Sequence, residues 1–384
     1  MEDQKIRVAI THGDTNGIGY EVILKAFEDP QMLELCTPIV YGSPKVAAYH
    51  CKAMGLQTNF SIINKAEDAR DGRVNMLTVF DEEVKVDFGQ SSEEADKAAF
   101  CAIERALADR EAGLVDVLVA APHSAAVQKK ALHALQKYQE TIGENLSDLL
   151  PIHICEGLRV AMVTGQLPLK EVAKTISKER ITEKAHVLFR SLKRDFRIST
   201  PRVALLALNP KEGNNEEWGV EEKEMMIPAI QQLESEDSQA FGPYAADEFF
   251  GQSMYDHFDA VLAMYHDQAT IPFCTIAHDD SVLLVGGLTF VYTAPNQDCA
   301  YAVAGQGQAD AMTMRHAIYT AVDVLRNHLN YDEPLKNPLP KLYHEKRDDS
   351  EKARFTVRPK DQFKKEPRAP RGESAPNSTE ETAK

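Results

Sequence analysis

The stretch "AMYHDQATIP" (263–272) sets a phenol, an imidazole, a carboxylate and a carboxamide side by side, at Tyr265, His266, Asp267 and Gln268. Such a set could hold a divalent cation or pass a proton. The apolar run "FDAVL" before it reads as a buried strand. The four residues then form a polar turn at the strand's carboxyl end, where α/β proteins keep their ligands. Asp247 could supply a second carboxylate to metal or substrate. Both acids have a plainer reading, as helix caps and turn-bonding groups. Cys274 and Cys299 are nucleophile types, but each would need a base, such as His266 or His278, and a setting that favours the thiolate. The plainer reading of both is a core or bystander thiol.

A second candidate lies near the start. "ITHGDTNGIGYEVILKAF" (10–27) runs strand, turn, helix. Gly13, Gly17 and Gly19 allow a tight turn, and the helix start behind them could hold an anion. Their spacing matches neither a dinucleotide fingerprint nor a phosphate loop. A turn that only joins strand to helix explains them equally well.

These groups need elements to position them. Apolar runs recur at 6–11, 37–42, 115–121, 158–164, 202–208 and 259–265. Several are apolar throughout, which suits strands covered on both faces of a mostly parallel sheet. Helical patterns lie between them. "SSEEADKAAFCAIERALADR" opens with a Ser cap and early acids, and puts Ala95, Ala99, Ala102, Ile103, Ala106 and Leu107 on one face. "RHAIYTAVDVLRNHL" does the same with Ile318, Val322, Leu325 and Leu329. The alternation predicts a layered α/β architecture.

The chain has 384 residues, 43% of them hydrophobic, and a formal net charge of −16. That charge argues against nonspecific nucleic-acid binding. No apolar run is long enough for a membrane span. The first ten residues carry no apolar signal region, so a cytoplasmic protein is expected. The cysteines Cys36, Cys51, Cys101, Cys155, Cys274 and Cys299 include no CxxC pair and read as reduced thiols. From Glu333 to Lys384 the chain turns basic and Pro-rich, with few large apolar residues, and reads as a disordered tail.

Six segments taken together resemble the 4-hydroxythreonine-4-phosphate dehydrogenase family: "ITHGDTNGIGYEVI", "GLRVAMVTGQLPLKEV", "ALNPKEGNN", "GPYAADEFF", "DAVLAMYHDQ" and "AYAVAGQGQADAMTM". They keep the family's order and spacing over about residues 6–330. The resemblance implies a two-domain α/β/α fold of the isocitrate/isopropylmalate dehydrogenase type. The expected division is 1–135 plus 285–332, then 136–284, with 333–384 as tail. It also implies a homodimer whose partner completes each inter-domain cleft. Family members oxidise a substrate hydroxyl with NAD, assisted by a divalent metal on three histidines.

Matched one position at a time, the family's site is changed. Its metal histidines fall on Gln166, Lys211 and His266, so only His266 keeps a ligand type. An amide is a poor ligand for such a metal, and an ammonium puts a positive charge where the cation would sit. The family's Gly-His-Thr-Glu aligns, by spacing from Pro122, with Lys137, Tyr138, Gln139 and Glu140. A lysine is lost at Ala125. The phosphate-gripping lysine becomes Cys274, an asparagine becomes Leu283 and an arginine becomes Tyr292. A stretch near the cofactor becomes "NQDC" (296–299). A phosphate dianion needs cationic or amide donors, and most are gone.

The sequence therefore leads to a catalytically degraded family member that binds a small molecule or a partner, with no cofactor expected. Lys211 is expected to pair with Asp247 or Asp267, and His266 to bond one of the same acids. The alternative is an active enzyme that uses NAD and a divalent metal to oxidise 4-phosphohydroxythreonine or a related substrate.

Overall fold

The structure, a computed structural model, describes residues 5–56, 60–80, 84–141, 149–277 and 279–337. Its frame is one sheet of twelve strands among the described residues. In chain order they are β1 (Arg7–Thr11), β2 (Thr37–Gly42), β3 (Ser61–Ile63), β4 (Asn75–Thr78), β5 (Val117–Ala120) and β6 (Leu150–Cys155). Then come β7 (Leu158–Met162), β8 (Arg202–Leu206), β9 (Gln239–Tyr244), β10 (Ala260–Ala263), β11 (Val282–Gly286) and β12 (Val291–Pro295). The spatial order is β3-β4-β2-β1-β5-β12-β11-β6-β7-β10-β8-β9. Pairing is parallel at both ends. It turns antiparallel only in the middle, where β11 pairs with β12 and β6, and β6 with β7.

The continuous apolar runs follow from burial on both faces. Val8 and Ile10 of β1 join one core cluster, while Ala9 between them joins another. On β8, Val203 and Leu205 face one cluster, and Ala204 and Leu206 the opposite one. Successive strand residues point to opposite faces, so helices must cover both. Each fully buried Val, Leu or Ile is worth about 1.5–3 kcal/mol. The four clusters serve the two ends of the sheet separately, with β11 packing among β1, β5 and β12.

The helix Glu93–Glu111 starts where the capping pattern puts it. Ser92 Oγ accepts the Ala95 N–H at 3.1 Å, and Glu93, Glu94 and Asp96 lie in its first turn. Its face of Ala95, Ala99, Ala102, Ile103, Ala106 and Leu107 is buried. The small alanines let the helix axis approach the sheet closely. The helix Met312–Lys336 buries Ile318 and Val322, leaves Leu325 half-buried and exposes Leu329, so the expected apolar face ends one turn early. This helix also takes in Glu333–Lys336, which the composition had put in the tail. Residues 338–384 lie outside the described residues.

The first Gly-rich turn is a packing device. A Cβ on Gly13 would sit 2.2 Å from Pro122 O, and φ there is +73°. A Cβ on Gly19 would sit 2.1 Å from His12 O. Only glycine lets this turn reach the end of β5, where Asp14 N–H donates to Pro122 O at 2.9 Å. Behind it, Lys25 Nζ reaches Glu21 Oε1 at 2.9 Å and also the carbonyls of Gly307 and Ala309. That one ammonium ties the "AGQGQAD" loop to the first helix. Among the described residues, no helix is long and apolar enough to cross a membrane. All six cysteines are free, and Cys274 is the exposed one.

Candidate functional site

A cavity of about 310 Å³ opens beside the carboxyl end of β5. Four separate segments wall it. The helix Ala125–Thr141 contributes Ala125, Gln128, Ala131 and Leu132, three or four residues apart on one face. Strands β11 and β12 contribute Leu283, Val285 and Tyr292, and the loop after β12 adds Asn296, Gln297 and Asp298. Gln166 comes from the loop after β7, and Cys274 from the helix His266–Ile276. So Gln166, Cys274, Leu283 and Tyr292, singled out from the sequence, do converge.

Among the described residues, no lysine or arginine lines the wall. Burial pushes the Tyr292 hydroxyl pKa up, so it is a neutral donor at physiological pH. Asp298 Oδ1 accepts the Ala300 N–H at 2.9 Å.

The positions expected at 137–140 are elsewhere. They form the last turns of the helix Ala125–Thr141, beyond the residues that touch the cavity. Lys137 and Glu140 are exposed. Tyr138 packs edge-on against Phe290, at 5.2 Å between ring centres. Gln139 is buried, donating to Gly287 O at 2.9 Å and accepting from Thr289 Oγ1 at 2.9 Å. It fastens the β11–β12 turn. Counting by spacing carried the substrate positions onto a helix that leads away from the cavity.

Lys211 sits in a short turn with φ +49°, followed by Glu212 at +56°. Its Nζ lies 3.0 Å from Asp247 Oδ2 and 2.6 Å from Glu248 Oε1. The bonds to Glu248 and Asp247 raise the lysine pKa, and the bond from Lys211 lowers that of Asp247. The expected pairing of Lys211 with an acid is present, with Glu248 as an additional partner. Asp247 also falls in the first turn of the helix Ala246–Gly251.

The polar turn after β10 is in fact a helix start. Tyr265 is the N-cap residue and His266, Asp267 and Gln268 open the helix. His266 Nδ1 lies 2.8 Å from Asp267 Oδ1, as one of the two expected bonds required. Gln268 accepts from Met264 N–H at 2.7 Å and donates to Ala207 O at 2.6 Å, clamping β10 to the chain after β8. None of Lys211, Asp247, His266 and Asp267 lines the cavity. No group of three or more His, Cys, Asp or Glu is arranged to hold a metal among the described residues. Cys299 is buried with its thiol 3.9 Å from Asp14 Oδ2. Burial, then Asp14, pushes its pKa up to about 12, so it is no thiolate. His278 lies outside the described residues.

Two histidines were missed. His123 lines the cavity and bonds Ala121 O at 2.9 Å through Nδ1, while its Nε2 is buried without a partner. The carbonyl can only accept, so Nδ1 carries the hydrogen. His153, on β6 opposite Leu283, holds Asn296 Oδ1 at 3.2 Å through Nδ1. Burial pushes its pKa down to about 4. The available signal was a histidine inside the apolar run "LPIHIC" and another just past β5.

Residues 34–321 match the family described as Pyridoxal phosphate biosynthetic protein PdxA. A 4-hydroxythreonine-4-phosphate dehydrogenase of Bacteroides thetaiotaomicron is 48% identical over 358 residues, 92% of this chain and 98% of that protein. One from Aquifex aeolicus is 31% identical, over 83% and 98%. The crystal structure of the Klebsiella pneumoniae 4-hydroxythreonine-4-phosphate dehydrogenase overlays with a TM-score of 0.68 at 26% identity, covering 85% of this chain and 99% of that one. The one from Burkholderia phymatum gives 0.64 at 26%, over 84% and 98%. The chain therefore belongs to the PdxA family of pyridoxal phosphate biosynthetic proteins, and its α/β fold is the isocitrate dehydrogenase-like fold of that family.

Proposed function

We propose that this chain is a PdxA-family protein that has given up metal-assisted oxidation of a phosphorylated substrate and uses its cleft to bind a small molecule. The observation that carries the reading is the ammonium of Lys211, held by Asp247 and Glu248. The parent reaction needs a cation to polarise the substrate hydroxyl, a Lewis-acid role worth several kcal/mol. Here two carboxylates that could draw a cation are taken by a lysine, and His266 is turned to Asp267. Gln166, on the cavity wall, adds only an amide. This donor set does not fit a divalent metal. That no Lys or Arg among the described residues lines the cavity points the same way for a phosphate dianion. The proposal keeps the family's homodimer and its division into two domains about the cleft. The separate core clusters at the two ends of the sheet support the division.

A second reading is an active NAD-dependent dehydrogenase with a divalent metal. The 48% identity along 92% of the chain to a protein named for that activity favours it. The deciding experiment incubates purified protein with NAD, Zn²⁺ or Mg²⁺, and 4-phosphohydroxythreonine, and follows NADH. No NADH above the protein-free rate is expected. Turnover, or growth without pyridoxine of a strain lacking the authentic enzyme, would establish the second reading.

A further inference from the structure

The cavity presents a specific set of hydrogen-bonding groups. Asn296 Oδ1 is occupied by His153 Nδ1, and Gln297 Oε1 accepts from Thr313 Oγ1 at 3.0 Å. With both oxygens engaged, each carboxamide is left with its NH₂ as the free end. Asn296 is fixed further by its backbone N–H on Ser281 O at 3.0 Å. Among the described residues neither NH₂ has a hydrogen-bond partner, neither is buried without one, and both residues line the cavity. Asp298 uses one oxygen on Ala300 N–H and keeps the other as an acceptor at the rim. The remaining wall at Leu283, Val285 and Leu132 is apolar.

We propose that the cleft takes a small, uncharged, hydroxyl-rich molecule of about sugar size, gripped by the NH₂ groups of Asn296 and Gln297 and by the Asp298 carboxylate. Hydroxyl groups both donate and accept, and this wall offers both complements without a net positive charge. A phosphate dianion would meet neutral donors and one like charge. The volume, about 310 Å³, lies at the low end of the ~300–1,000 Å³ usual for ligand sites. His153 acts as a positioning residue: it sets which end of the Asn296 amide faces the ligand. The inference rests on the reading that the phosphate grip is lost.

The test titrates the purified full chain with D-ribose, erythritol and D-ribose 5-phosphate, by calorimetry and saturation-transfer NMR. At least one uncharged compound is expected to bind in the millimolar range, and the phosphate at least tenfold more weakly. Asn296→Asp should weaken the uncharged ligand at least tenfold. The aspartate can still accept from His153, so the fold is retained, but the donor is gone. Gln297→Glu tests the second donor in the same way, with circular dichroism confirming that each variant folds. Ribose phosphate binding as tightly as ribose would overturn both this ligand class and the loss of the phosphate grip. No binding by any of the three compounds would overturn the ligand class alone. Undiminished binding by both variants would overturn the assigned donors.

Discussion

Lys211 and Asp247 lie 36 residues apart in sequence, and their side chains meet at 3.0 Å. Both are well exposed. An exposed pair contributes little to stability, so the bridge matters for what it blocks. It neutralises acids that would otherwise draw a cation.

Replacing that lysine by a ligand should therefore reopen the place. The double variant Gln166→His, Lys211→His is expected to take up one Zn²⁺ per chain, measured by elemental analysis after dialysis. Tag-free wild-type protein should retain none. Metal in the wild type at one per chain, lost on His266→Ala, would show that His266 is a working ligand. Metal uptake by the double variant should come before any recovery of activity, because the phosphate grip is a separate loss.

Acid should destabilise the protein earlier than its carboxylates alone would require. Burial holds His12, His50 and His153 at pKa values of about 4, against 6.5 when unfolded. The unfolded chain therefore binds these protons first as pH falls. Their contribution is fully present above pH 6.5 and is lost progressively toward pH 4. Each such group adds a slope approaching ~1.4 kcal/mol per pH unit inside that window. Urea unfolding at pH 7.5, 6 and 5 measures the slope, and His50→Asn should reduce it by about one histidine's share. An unchanged slope would mean that His50 is protonated in the folded chain.

The ion pair beneath the first helix is a different case from Lys211. Glu21 is fully buried and Lys25 largely so. Lys25→Met removes the cation, two carbonyl contacts and the clamp on residues 307–309 while leaving the carboxylate in place. Removing one partner of a buried pair costs about 3–5 kcal/mol. The double variant Glu21→Gln, Lys25→Met should lose less than Lys25→Met alone, which a double-mutant cycle by denaturant unfolding would register.

How far the sequence could be read depended on whether an element makes its own case. The six long apolar runs are all strands, because full burial writes itself as uninterrupted Val, Ile, Leu and Ala. The other six, β3, β4, β6, β9, β11 and β12, were not among those runs, and three of them show why. β3 exposes Ile62, β6 carries Pro151 and His153, and β9 carries Gly242 and Pro243. Their strand character comes from neighbours that pair with them, and a strand's own propensity is weak beside that. At the site, aligned motifs found Gln166, Cys274, Leu283 and Tyr292, which sit in segments with fixed landmarks. Tyr138, Gln139 and Glu140 had none. His123 and His153 matter through what they face, which only the sheet order decides.

The two substitutions in the former phosphate grip should differ sharply when reversed. Cys274 is exposed on the cavity wall. A lysine there can extend its stem along the wall and keep its ammonium in water, so Cys274→Lys should leave the thermal midpoint nearly unchanged. Tyr292 is 3% exposed, the second residue of β12, packed among Leu283, Val285 and Phe290. An arginine there carries a charge into that apolar layer. The effective penalty for an unpaired buried ion is several kcal/mol. Tyr292→Arg is therefore expected to lower the midpoint by well over 5 °C, and the combined variant to gain phosphate affinity only if that loss is first offset elsewhere. Thermal melts of the two single variants, with D-ribose 5-phosphate titrations of each, decide the matter. If Tyr292→Arg is as stable as the wild type, the apolar layer has room for the guanidinium. The cleft would then be one substitution, and not a repacked wall, away from holding a phosphate.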